Sequence, residues 1–132
     1  MRILVVDDDY VSRVQTKALL SSYGDCDAAP DGALALDLIK SAHAENAPYE
    51  LITLDVDMPT MRGQEVLRLI REFEASNGLA HRGTEAKVLM VSALDDGKSI
   101  MSSFRQGCEG YVVKPLTPSK LAEALEHLRM LP

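Results

Sequence analysis

The chain has 132 residues, with 14 Lys and Arg against 20 Asp and Glu, and a formal charge of −6. That length suits a single domain, 1–132, on one core, and the acidic balance disfavours a broad nucleic-acid-binding surface. No run approaches the roughly 20 apolar residues of a membrane span, and the N-terminus has no signal-peptide layout.

Five short apolar runs recur at even spacing: "ILVV" (3–6), "CDAA" (26–29), "LITL" (51–54), "VLMV" (88–91) and "YVV" (111–113). Helix-period segments lie between them. The first carries a stripe of Val11, Val14, Ala18 and Leu19 and is expected to close at Gly24. Asp31 is placed to cap a second helix bearing Leu34, Leu38, Ile39 and Ala42. Val66, Ile70 and Phe73 mark a third. A fourth, over 98–106, is polar and offers only Ile100, Met101 and Phe104. The fifth opens at "TPSK", with Thr117 as cap, Pro118 as first helical residue, and Leu121, Leu125 and Leu128 facing inward. Residues 74–86 read as a fraying helix end plus a surface loop. Cys26 and Cys108 lack CxxC or metal-ligand spacing and read as small hydrophobes in a reducing, cytoplasmic setting. His43, His81 and His127 are scattered and read as solvated.

Strands alternating with helices predict right-handed βαβ crossovers and a parallel sheet covered on both faces. The expected fold class is α/β, a flavodoxin-like three-layer sandwich with five helices. In such sheets ligands bind beyond the carboxyl ends of the strands, where strand order reverses. Strand one ends in Asp7, Asp8 and Asp9; strand three in Asp55, Val56 and Asp57; strand four in Ser92; strand five in Lys114. The second ends in "AAP", with nothing reactive. The order 2-1-3-4-5 puts that strand on an edge and strand one beside strand three.

Three aspartates after a buried strand repel one another unless something positive sits among them. A helix cap explains one of them. Asp7, Asp8 and Asp55 are expected to converge, and a hard divalent cation answers their charge. Mg2+ takes one or two carboxylates, keeps waters and leaves places for phosphate oxygens. The all-oxygen donors argue against zinc. Lys114 and the Ser92 hydroxyl complete a set that can hold a phosphoryl group, and a carboxylate can accept one as an acyl phosphate.

These residues resemble the receiver domains of two-component response regulators across essentially the whole chain. "ILVVDDD" is similar to that family's first strand and acidic pair, falling on Asp7 and Asp8. "LITLDVDMPTMRG" resembles its phosphoacceptor segment, which implies Asp55 as acceptor and a metal-ligating carbonyl on Asp57. "VLMVSA" is similar to the strand carrying the switch hydroxyl, on Ser92. "GYVVKP" resembles the last strand, with Tyr111 as the rotameric aromatic, Lys114 as the lysine and a cis bond before Pro115. The resemblance implies the same strand order. Arg62 stands where the family usually has Asp, and Leu116 where it often has Phe.

The resemblance implies a phosphorylation switch that turns over no separate substrate. Its cofactor is Mg2+, with Mn2+ as the alternative. Its phosphodonor is a histidine kinase or histidine phosphotransfer protein, and its output passes to a target protein, as a monomer or a phosphorylation-dependent dimer. No nucleic acid, membrane or attached output domain is expected. Two rival readings stand against it. A phosphorylation-independent receiver-like module should have lost a member of the acidic, hydroxyl or lysine set, and none is lost. A haloacid-dehalogenase-type phosphatase is echoed by "DVDMPT", but Pro59 stands where that motif needs Thr or Val, and the acidic pair comes first instead of last.

Overall fold

Strands and helices alternate along the chain as β1 (Arg2–Val6), α1 (Tyr10–Leu20), β2 (Asp25–Ala29), α2 (Gly32–Ala44), β3 (Leu51–Leu54), α3 (Gly63–Ser76), β4 (Lys87–Ser92), α4 (Gly97–Arg105), β5 (Gly110–Val113) and α5 (Pro118–His127). This is a computed structural model, and it describes residues 1–79 and 84–131. The strands form one parallel sheet in the order β2-β1-β3-β4-β5, as expected.

Alternation along the strands sends side chains to two faces. Leu4, Val6, Ile52, Leu54, Val88 and Met90 pack with Ala35 and Ile39 of α2 and with Val66, Leu67 and Ile70 of α3. Ile3, Val5, Leu51, Leu89 and Val91 pack with Leu20 of α1 and with Leu121 and Leu125 of α5. Both layers are buried, and each Leu or Ile taken fully out of water contributes about 1.5–3 kcal/mol. The predicted caps are present: Asp31 accepts from the Leu34 N–H at 2.8 Å, and Thr117 Oγ1 from the Lys120 N–H at 3.1 Å.

Of the stripe expected on α1, Leu19 packs against the core and the rest faces outward. Val11 and Val14 are 58% and 48% exposed, whereas Thr16 and Leu20 are buried. Leu34 on α2 is also exposed, whereas Ile39 and Ala42 are buried as expected, joined by Ala35. Gly24 does not close α1, which is capped at Ser21. A Cβ at Gly24 would meet the Met1 carbonyl oxygen at 2.1 Å, so the glycine serves a close backbone approach. His43 is half-buried, with its ring edge-on to Phe73 at 5.4 Å between centroids, not solvated as expected; His127 is exposed.

The stretch over 74–86 also differs from expectation at its start. α3 runs on to Ser76, and Glu74 is buried. Arg71 Nη1 donates to Glu74 Oε1 at 2.7 Å and to the Ala86 carbonyl at 2.8 Å. The same guanidinium reaches the Gly107 carbonyl and Glu109. Glu74 and Glu109 in turn accept from the N–H groups of Ala86 and Val88. One arginine thus ties α3 to the N-terminal ends of β4 and β5. The middle of the stretch, including His81, lies outside the described residues.

Candidate functional site

At the opposite end of the sheet, the strand ladder continues one residue beyond the strands and sets the site. The Asp7 N–H donates to the Ala29 carbonyl at 3.2 Å, the Asp55 N–H to the Val6 carbonyl at 3.0 Å, and the Lys114 N–H to the Ser92 carbonyl at 2.8 Å. Asp7 and Asp55 are thereby held side by side on the central strands, while Lys114 leaves the edge strand aimed back at them. Among the described residues, Asp7, Asp8 and Asp55 form a group whose ligand oxygens all lie within 4.8 Å of one another. Asp7 and Asp55 are buried and Asp8 is exposed.

Lys114 Nζ bridges the two buried carboxylates, at 2.8 Å from Asp7 Oδ2 and 3.2 Å from Asp55 Oδ2. Asp7 has three further anchors. Its Oδ1 accepts from the Asp9 N–H at 3.0 Å, its Oδ2 from Ser12 Oγ at 2.6 Å, and its carbonyl from Arg13 Nη1 at 2.8 Å. Among the described residues, Asp55 Oδ1 accepts from the Asp57 N–H alone, at 3.1 Å. Burial pushes the Asp7 carboxyl up, but Lys114, Ser12 and the Asp9 N–H outweigh it and hold the group below its ordinary value. Burial prevails at Asp55, with repulsion from Asp7 added, and its carboxyl stands above the ordinary value despite Lys114. The Lys114 ammonium is desolvated too, yet its two carboxylates raise it above the usual lysine.

The remaining predicted residues gather around this centre without joining it. Ser92 is fully buried, and its Oγ accepts from the Leu94 N–H at 3.2 Å. Tyr111 is half-buried and its hydroxyl donates to the Leu94 carbonyl at 2.7 Å. Burial pushes that phenol up, with the nearby Ser92 hydroxyl opposing. Ser92 and Tyr111 are therefore linked through the two ends of one residue, Leu94. The Asp57 side chain is exposed, and the backbone N–H is its tie to the centre. Asp9 stands at the cap position of α1 but makes no side-chain cap bond, so capping does not explain it. Arg62 is the exposed cap residue of α3. The Lys114–Pro115 peptide bond is cis.

The sequence reading did not single out Ser12 or Arg13. Each acts through the backbone or through another side chain, so residue type alone gives little sign of it.

Three carboxylates against one ammonium leave excess negative charge at a partly buried point. The donor set is all oxygen, and one of the three acids opens to solvent. A hard divalent ion with several retained waters fits that description, and Mg2+ fits best. The chain matches the model of the "Response regulator receiver domain" over residues 3–126. The chain belongs to the response regulator receiver family. Receivers are phosphoacceptor switches of two-component signalling, and this chain is one of them. The receiver is 35% identical over 130 residues to the chemotaxis protein CheY of Pseudomonas aeruginosa, covering 97% of this chain and 95% of that protein. Among solved structures it resembles the CheX–CheY–BeF3–Mg2+ complex from Borrelia burgdorferi. The TM-score is 0.81 at 26% identity, covering 98% of this chain and 89% of that one. It likewise resembles the receiver domain of the Arabidopsis thaliana histidine kinase CKI1 complexed with Mg2+ and BeF3−. There the TM-score is 0.82 at 26% identity, covering 98% and 90%. Among the described residues of this receiver, no helix is long and apolar enough to cross a membrane.

Proposed function

We propose that Asp55 is the phosphoacceptor of this receiver and that a histidine kinase or histidine phosphotransfer protein supplies the phosphoryl group. The observation that carries this reading is the Lys114 ammonium lying within 3.2 Å of both Asp55 and Asp7, beside a third carboxylate. An Asp55 carboxylate oxygen attacks the phosphorus of the partner's phosphohistidine. The O–P bond forms, the P–N bond breaks, and the imidazole leaves with a proton from solvent. Lys114 turns an N–H toward the phosphoryl oxygens as their charge grows. Asp7, Asp8 and Asp55, with the Asp57 carbonyl, hold Mg2+, and Mn2+ meets the same oxygen donors. When bound, the cation supplies positive charge for the transferring oxygens.

The switch then runs through Leu94. Ser92 gives up the Leu94 N–H to donate its hydroxyl to the phosphoryl group, and the loop that also holds the Tyr111 hydroxyl shifts with it. α4 is a suitable element to follow, since Ser103 is its one buried residue and Met101 and Phe104 are exposed. The output is a changed protein-binding surface in the cytoplasm, as a monomer or a phosphorylation-dependent dimer, with no separate substrate turned over. The unit is a single domain over 1–132.

The reading is tested with a small phosphodonor and Mg2+. One acid-stable, base-labile phosphate should appear on the wild type, and none without metal or in Asp55→Asn. Tyr111→Ala should take up phosphate at close to the wild-type rate while losing its response to a binding partner. Labelling that is indifferent to metal would overturn the site as drawn.

A further inference from the structure

Ser12 is the third residue of α1, and helix formation does not require a hydroxyl there. A serine inside a helix commonly turns back to the carbonyl four residues earlier. Ser12 does not: its Oγ lies 2.6 Å from Asp7 Oδ2. An ionised carboxylate only accepts, so the hydroxyl is the donor, and the distance is that of a hydrogen bond to a charged oxygen. Lys114 Nζ donates to the same oxygen at 2.8 Å. Two side-chain donors thus converge on Asp7 Oδ2, one neutral and short, the other charged and shared with Asp55.

The two differ in freedom. Ser12 has a single rotor on a helix that Arg13 pins to the Asp7 carbonyl at 2.8 Å. Lys114 has a flexible four-carbon stem, and its ammonium is the group that must turn toward an incoming phosphoryl oxygen. When it turns, Asp7 Oδ2 keeps one side-chain donor.

We infer that Ser12 is a positioning residue, holding the Asp7 carboxylate in its metal-binding orientation while Lys114 moves between Asp7 and the phosphoryl group. The inference rests on the metal site proposed above for Asp7, Asp8 and Asp55. Carboxylates that ligate a metal are commonly fixed by such hydrogen bonds, and loss of one costs roughly 10–100-fold in metal affinity or activity.

The test is a calorimetric Mg2+ titration without phosphodonor, alongside thermal melting in chelator. It uses wild type, Ser12→Ala, Ser12→Thr and Asp8→Ala, with the two Ser12 variants repeated in a Lys114→Met background. Ser12→Ala should weaken Mg2+ binding about tenfold, and Ser12→Thr, which keeps the hydroxyl, should restore it. The loss should be larger in the Lys114→Met background, where Ser12 is the one side-chain donor left to Asp7 among the described residues. Unchanged Mg2+ affinity in Ser12→Ala, or equal losses in both backgrounds, overturns the inference whatever the melting temperatures do. A wild type that binds no Mg2+, or Asp8→Ala that binds it normally, instead overturns the metal site itself.

Discussion

The α-carbon of Gly63 sits so close to the Asp55 carbonyl that a Cβ added there would lie 2.0 Å from the oxygen. The Gly63 N–H also donates to the Val56 carbonyl at 2.9 Å. The first residue of α3 is therefore pressed against the backbone of Asp55, the proposed acceptor. Gly63→Ala must push that backbone aside, because the atoms it meets are not the end of a flexible side chain. It should cost on the order of 1–3 kcal/mol in a denaturant titration and slow phosphorylation of Asp55. A variant with wild-type stability and rate would show that the contact is not restrictive.

Asp55 should weaken the fold at neutral pH when no metal is present. Its carboxyl stands above its ordinary value through burial and repulsion from Asp7. A raised carboxyl adds stability below its unfolded value of 3.8 and loses that contribution as pH rises through the folded value. Asp7 works the other way, adding stability above the same unfolded value and losing it as pH falls through its depressed one. Asp55→Asn, melted in chelator, should thus be more stable than wild type near neutrality, with the gap closing toward acid. A gap that does not depend on pH would contradict this.

Thr53 lies on β3 with 2% exposure, and among the described residues its Oγ1 has no hydrogen-bond partner. An unsatisfied buried hydroxyl costs about 1–3 kcal/mol. Thr53→Val keeps the shape and removes the hydroxyl, so it should stabilise on the order of 1 kcal/mol. Measured destabilisation would mean that the hydroxyl is satisfied in solution.

Arg71 holds Glu74, whose side chain is 5% exposed, and Glu109 at the far end of the sheet. Arg71→Met leaves a buried carboxylate without its counter-charge and should cost about 3–5 kcal/mol. Replacing Arg71 and Glu74 together by apolar residues should cost less than the single change. An additive outcome would argue against a coupled network.

The sheet and its polar end were legible because burial on both faces gives each strand an unbroken apolar run that stops where the chemistry begins. "ILVV" ending at Asp7 and "LITL" ending at Asp55 needed no tertiary information. Helix faces were harder to assign. α1 presents Val11 and Val14 outward and Leu20 inward, and periodicity gives the period of a stripe without saying which stripe meets the sheet. α2 has apolar residues beyond its buried face, and the small Ala35 and Ala42 approach the core where Leu34 does not. The supporting contacts were not legible at all. Ser12 on Asp7, Gly63 on Asp55 and the Leu94 link between Ser92 and Tyr111 join residues through single atoms, many of them backbone.

Asp55 is proposed to carry the phosphoryl group. The most direct measurement is to phosphorylate the receiver with a small donor and Mg2+, reduce the acyl phosphate with borohydride, and locate the modified residue by mass spectrometry. Reduction converts an aspartyl phosphate to homoserine, so homoserine is expected at position 55 in the wild type and at no other aspartate. Homoserine at Asp7, Asp8 or Asp57, or undiminished conversion in Asp55→Asn, would contradict it.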